Sequence, residues 1–175
     1  MFSSAQKSSM INVNTNINIA LFGPVSVGKS TFVNALFVKQ YSDCNIARTT
    51  AVPQIYTAIK NPPQKDYLKN IRQTNTERNK HIMKKSEEGK LSLDDIKAAH
   101  YWVPPVPDLV SLKKNVYLQI HDMPGLNDSK TKSIYYQYVD KHFYQYDVVI
   151  FVIDIMSAMN TSDEIDILTM LLKNM

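Results

Sequence analysis

The strongest structural signal in the chain lies in residues 16–37, which read NINIALFGPVSVGKSTFVNALF. Residues 16–22 alternate and then become fully apolar, which predicts a strand. Residues 23–30 (GPVSVGKS) match G-x-x-x-x-G-K-[ST], the pattern of a phosphate-binding loop. Residues 31–38 predict a helix whose inward face carries Phe32, Ala35, Leu36 and Val38. Strand, loop and helix therefore follow one another in the order that this motif requires.

The chemistry of the loop explains its composition. The chain has only 4 glycines, and Gly23, Gly28 and Gly125 all fall in phosphate-type motifs. Glycines let successive backbone N–H groups face one anion. In such a loop the lysine contacts the β- and γ-phosphates and the following hydroxyl ligates Mg²⁺. The predicted nucleotide-binding residues are Gly23, Ser26, Val27, Gly28, Lys29, Ser30 and Thr31.

Composition excludes several classes of protein. With 175 residues and 44% hydrophobic content, the chain can bury one domain-sized core. Its longest apolar run, residues 148–153, is far shorter than the ~20 residues of a spanning helix. The single Cys44 predicts a reducing, cytoplasmic compartment. The net charge of +4 comes from residues 60–100 and indicates a solvated helical face, so no nucleic-acid partner is expected.

The rest of the chain alternates between strand and helix patterns. Residues 1–16 are predicted to be a flexible arm, and residues 17–175 a partial nucleotide-binding domain. Residues 61–112 are charged and bounded by prolines, which predicts a helical insertion between the second and third strands. We expect an α/β fold of three layers with a mostly parallel sheet, as in GTPase-like P-loop NTPases. The remaining predicted elements are an edge strand at 52–60, helices at 64–86 and 92–101, a strand at 115–121, an aromatic-rich helix at 132–146, a buried strand at 147–155 and a helix from 162.

Two further motifs fit a nucleotide site. Asp122-Met-Pro-Gly125 ends a predicted strand, where the carboxylate can reach Mg²⁺ through a water and the glycine lets the backbone approach the γ-phosphate. Met123 follows the aspartate, whereas helicases and transporter ATPases typically have glutamate there. In the segment RTTAVP (48–53), Thr50 is favoured to close the metal shell and hold a water. The predicted metal ligands are thus Ser30, Thr50 and Asp122.

With these motifs in place, the chain resembles the N-terminal half of a dynamin-type large GTPase domain over residues 17 to about 160. Ser26 stands where that family has a serine, Thr50 lies three residues before Pro53, and Leu126 replaces the water-orienting glutamine of Ras-like enzymes. The resemblance implies GTP binding and Mg²⁺-dependent hydrolysis, with Ser26, Thr50 and Gly125 as catalytic groups. It also implies a monovalent cation and dimerisation across the nucleotide face. Arg48 is a weaker candidate for an arginine finger, a catalytic arginine supplied by the same chain.

The chain departs from the family at the base-recognition element [N/T]-K-x-D. Asn79-Lys80 and Thr131-Lys132 both lack the aspartate, so a preference for GTP over ATP is not assigned. We expect a sheet that is incomplete on its C-terminal side, with residues 148–153 at an unpaired edge. The alternative to an enzyme is therefore a truncated, non-catalytic fragment that acts by associating with its missing half or with a homologous GTPase. Whether a membrane is involved is left open by the sequence.

Overall fold

The computed structural model describes residues 15–42, 50–59, 66–104, 115–156 and 159–175, with side chains of 66–72 left aside. Strands and helices alternate along this part of the chain, as an α/β fold requires. The strands are β1 (Thr15–Phe22), β2 (Gln54–Ala58), β3 (Ala99–Val103), β4 (Val116–Asp122) and β5 (Val148–Phe151). The helices are α1 (Lys29–Leu36), α2 (Asp66–Glu87), α3 (Lys132–His142) and α4 (Ser162–Asn174).

The five strands form one sheet in the order β3-β2-β4-β1-β5. β1 lies between β4 and β5 and is parallel to both, whereas β2 is antiparallel to β4 and parallel to β3. Asp122 at the end of β4 therefore pairs with Leu21 near the end of β1 and with Gln54 at the start of β2. This register brings the segment before β2 to the end of the sheet at which the loop after β1 also lies.

The core is one hydrophobic cluster that joins the sheet to α1, α3 and α4. The aromatic stripe that the sequence places on the fourth predicted helix is buried in it: Tyr135 and Val139 are fully inaccessible, and Tyr138 and Phe143 nearly so. Their helix ends at His142 and continues as a 3₁₀ turn, Phe143–Gln145. The interpretation of this stripe as core packing is confirmed.

The prediction for the segment before β4 was partly wrong. The helix predicted at 64–86 forms as α2, but residues 92–101 form only a 3₁₀ turn, Leu93–Asp95, followed by β3. Ser92 and Asp95 form a capping box, a pattern that marks a helix start, yet here it caps only that single turn. Residues 99–103 (AHYWV) alternate between buried and exposed, and aromatic and β-branched side chains favour a strand.

Because β3 takes the outer position, the prediction that β2 is an edge strand was also wrong. β2 lies between β3 and β4, and all five of its residues are buried. Pro53 precedes the strand, so its missing N–H interrupts no ladder. The opposite edge of the described sheet is formed by β5, as predicted. The prediction of a buried strand at 147–155 was wrong, because β5 spans only Val148–Phe151 and, at the edge, none of its four residues is fully buried; Val148 is 44% exposed.

The inward face of α1 differs from the predicted one. Val33 and Phe37 are buried, whereas Phe32 is 43% exposed and Val38 lies past the helix at 75% exposure. The phase is set by Lys29, the first residue of the helix, whose side chain is buried beneath the loop. Residues four and eight positions later then face the same way. Ala35 is likewise exposed and Leu36 half-buried.

The domain boundaries stay predictions. Residues 1–14 of the expected arm lie outside the described residues, and β1 already begins at Thr15. Within the expected insertion, Ile82, Ile96, Tyr101 and Val103 all belong to the common core. Across the described ranges, no helix combines the length and the apolar character needed to cross a bilayer.

Candidate nucleotide-binding site

The loop between β1 and α1 has the backbone of an anion cradle. Ser26 and Gly28 adopt positive φ values of 61° and 99°, and Gly23 has a φ of 150°. Gly28 is the N-cap of α1 and has no side chain with which to accept a hydrogen bond from the first turn. The N–H groups at this helix start therefore point towards the loop, where an anion can accept from them. Val27 is half-buried beside them, and Thr31 lies exposed on the first turn.

Lys29 places its ammonium inside this cradle. The side chain is only 6% exposed, and its Nζ donates to the carbonyl oxygens of Gly23 and Pro24 at 3.1 and 2.6 Å. Burying a cation is unfavourable unless negative charge compensates it. A buried ammonium at the start of a helix therefore favours the binding of an anion in the loop.

Three oxygen-bearing side chains meet beside the loop. The Ser30 hydroxyl donates to Asp122 Oδ2 at 2.6 Å and lies 3.1 Å from the Thr50 hydroxyl. Asp122 is fully buried, and its Oδ1 has no hydrogen-bond partner among the described residues. Hydroxyl and carboxylate oxygens are the ligands that Mg²⁺ prefers, and an orphaned carboxylate oxygen leaves a position for the ion. The donor set therefore fits a magnesium ion, and these three residues are the ones that would hold it.

The environment of Asp122 also shifts its titration. Burial raises the pKa of this carboxyl to about 6, although the Ser30 hydrogen bond and the Lys29 charge act in the opposite direction. A buried carboxylate without a cation is unfavourable, and a bound cation reverses that effect. The Asp122 carboxyl thus loses its proton, and so becomes able to bind a metal ion, within the pH range of ordinary assays.

Mg²⁺-dependent nucleotide binding should therefore weaken in acid. At pH 5 Asp122 is about nine-tenths protonated, so we expect the Mg²⁺-dependent part of the affinity to fall roughly tenfold from pH 7.5. Titration of a slowly hydrolysed fluorescent GTP analogue at both pH values measures it. Asp122→Asn is the control, because any pH dependence that it retains comes from the nucleotide. An equal pH dependence in both proteins would contradict the assignment of Asp122 as a ligand.

Comparison with known proteins identifies the family of the chain. A model of the dynamin family matches residues 19–175, which is most of the chain. The chain belongs to the dynamin family. It is 28% identical over 155 residues to the uncharacterised protein R618 of Acanthamoeba polyphaga mimivirus, covering 82% of this chain and 24% of R618. It is also similar to a solved structure of an oligomerised bacterial dynamin pair, with 19% identity and a TM-score of 0.48, covering 90% of this chain and 25% of that one.

The chain thus spans about a quarter of the length of each of these two proteins. The match begins within β1 and includes the loop, the Thr50 segment and the Asp122-Met-Pro-Gly125 motif.

In this dynamin-family domain the loop after β4 packs directly on the phosphate-binding loop. A Cβ atom at Gly125 would lie 2.7 Å from the Val25 nitrogen and 2.6 Å from its Cα, so only glycine fits there. The backbone N–H of Leu126 donates to the Gly23 carbonyl at 3.4 Å. Leu126 is itself fully buried, and its apolar side chain cannot orient a water.

The structure also adds residues that sequence reasoning missed. Asn127 Oδ1 accepts from the Val25 N–H at 2.7 Å, which ties the two loops together across 102 residues. An asparagine after a glycine-containing turn is too common to have been singled out. Ser26, one of the predicted catalytic residues, is exposed at the tip of the loop. Arg48 lies outside the described residues, and the roles of Ser26, Thr50 and Gly125 in catalysis stay predictions.

Proposed function

We propose that this dynamin-family domain binds GTP with Mg²⁺ and hydrolyses it to GDP and phosphate. The observation that carries the proposal is the meeting of the Ser30, Thr50 and Asp122 oxygens beside the buried Lys29 ammonium. A metal site of hard oxygens next to a cationic anion cradle suits a metal-bound polyphosphate. The choice of guanine as the nucleotide base rests on the family membership.

The residues have separate roles in this proposal. The loop amides of residues 23–30 and Lys29 bind the phosphates, and Mg²⁺ held beside them would neutralise the charge that develops on the phosphate oxygens. Ser30, Thr50 and Asp122 hold the ion. Thr50 and the Gly125 backbone orient the attacking water, because the buried Leu126 side chain has no polar atom with which to do so. Ser26 stabilises charge at the loop tip, aided by a monovalent cation and by dimerisation of two G domains.

Base recognition is the part for which no residue is assigned. Asn79 is hydrogen-bonded to the backbone of Ala51, and Thr131 is fully buried at the start of α3. The side chains of Asn79 and Thr131 are therefore not directed towards a nucleotide base. The two sequence candidates for the guanine element are better explained as structural residues.

The test is a direct comparison of nucleotides on the chain of 175 residues. We expect the fluorescent GTP analogue to be displaced by GTP and GDP more readily than by ATP, and phosphate to be released from GTP only with Mg²⁺. Binding without turnover would support the alternative of a non-catalytic fragment that acts by association. Failure to bind any nucleotide, in a protein that is soluble and folded, would overturn the proposal.

A further inference from the structure

The segment that carries Thr50 is held by two hydrogen bonds from distant helices. Its next residue, Ala51, is 1% exposed. The Ala51 N–H donates to Asn79 Oδ1 of α2 at 3.0 Å, and the Ala51 carbonyl accepts from the Tyr135 hydroxyl of α3 at 2.6 Å. Both polar groups of one peptide residue are therefore fixed by side chains.

These bonds determine where the Thr50 side chain lies. Thr50 is 7% exposed and is covalently joined to the clamped Ala51, and its hydroxyl lies 3.1 Å from the Ser30 hydroxyl. After Ala51 the chain passes through the buried Val52 into β2, so the segment is anchored on that side as well. The contacts that fix the backbone beside Thr50 thus all come from the protein itself.

We propose that Asn79 and Tyr135 are positioning residues that hold Thr50 in the metal site before the nucleotide binds. The inference rests on the proposed function and adds a role for α2, the helix of the charged segment. Asn79 supplies the acceptor from that helix. Tyr135 is fully buried, so its hydroxyl is a fixed donor.

The consequence is a selective effect on the Mg²⁺-bound triphosphate. Without the clamp, only a fraction of molecules has Thr50 in place, and the apparent dissociation constant rises by the inverse of that fraction. If that fraction falls to about one tenth, Asn79→Ala and Tyr135→Phe weaken binding of the Mg²⁺-bound GTP analogue about tenfold. Binding of GDP without Mg²⁺, which makes no use of Thr50, should be unchanged.

Several variants separate positioning from a general loss of stability. Asn79→Asp keeps the acceptor oxygen and should bind the triphosphate more tightly than Asn79→Ala. Gln73→Ala, on the exposed face of α2, and Tyr144→Phe, 84% exposed, are the matched controls and should behave as wild type. In a Thr50→Ala background, Asn79→Ala should have no further effect on triphosphate affinity. An undiminished effect there, or an equal loss of GDP affinity, would overturn the inference.

Hydrogen exchange provides a readout that needs no nucleotide. In the nucleotide-free wild type we expect the Ala51 amide to be protected, and Tyr135→Phe to raise its exchange rate about tenfold or more. An Ala51 amide that exchanges like an unstructured peptide in wild type would overturn the inference even if GTP binds. If wild type binds no nucleotide, the proposed function fails, and the exchange result still decides whether the clamp exists.

Discussion

Replacing Lys29 with alanine should abolish most nucleotide binding, with a loss in affinity of roughly a hundredfold or more. The Lys29 ammonium is 6% exposed inside the loop and donates to two backbone carbonyls, so it lies where the phosphate of a bound nucleotide would accept from it. Fluorescence titration with the slowly hydrolysed GTP analogue measures the change. The melting temperature of the nucleotide-free variant is measured beside it, so that a loss of binding is distinguished from a loss of folding.

Lys39→Ala is the matched control for that experiment. Lys39 is exposed just after α1, and its removal changes the net charge by the same amount. It should leave the affinity within about a factor of two, since exposed charges are screened. If Lys29→Ala and Lys39→Ala bind the analogue equally well, the loop is not the phosphate site.

Gly23→Ala should strongly destabilise the fold. A Cβ atom at Gly23 would lie 2.3 Å from the backbone oxygen of Val152 and 3.1 Å from Val27 Cγ1, at a φ of +150°. The Val152 N–H donates to Phe22 at 2.8 Å, so relief of the clash would disturb the β1–β5 junction. We expect a loss of about 3 kcal/mol in the free energy of unfolding. Such a loss lowers the melting temperature by about 10 °C.

Gly89→Ala separates steric clash from backbone strain. Gly89 also has a positive φ, +67°, but a Cβ atom there would meet nothing within 4 Å. Its substitution should cost about 1 kcal/mol from the left-handed conformation alone. Thermal unfolding of both variants checks the difference, and equal melting temperatures would show that the close contact between Gly23 and Val152 is absent in solution.

The local elements around the candidate site were easier to predict from the sequence than the order of the strands in the sheet. The phosphate-binding loop, the strand before it and the helix after it are local, so their residue types and spacing specify them. The position of Asp122 follows from the same logic, because parallel strands end at one edge of a sheet. Thr50 was harder to place, and it reaches Asp122 because β2 is antiparallel to β4 and starts beside it.

The wrong predictions of secondary structure, strand order and helix face have one physical origin, which is tertiary packing. Ser92 and Asp95 form a real capping box, but a cap does not determine how far a helix continues. Residues 99–103 pair with β2 instead, and that pairing decides both that β3 exists and that β2 is internal. The face of α1 was misjudged because the buried Lys29 shifts its phase.

The supporting residues of the site could not have been found from the sequence. Asn79, Asn127 and Tyr135 each bond to a backbone group far away in the chain, across 28, 102 and 84 residues. Such bonds leave no periodicity and no local motif. Tyr135 was correctly assigned to the core, but its hydroxyl also anchors the segment that presents Thr50.

The claim that Ser30, Thr50 and Asp122 share one ion beside Lys29 is tested most directly with paramagnetic Mn²⁺ in place of Mg²⁺. With the slowly hydrolysed GTP analogue bound, amide NMR signals close to the ion broaden beyond detection. The proposed site predicts that the signals of Ser30, Thr50 and Asp122 disappear together, while that of Gly89 keeps its intensity. Signals of Ser30 and Asp122 that persist while the protein holds the nucleotide and Mn²⁺ would contradict the account.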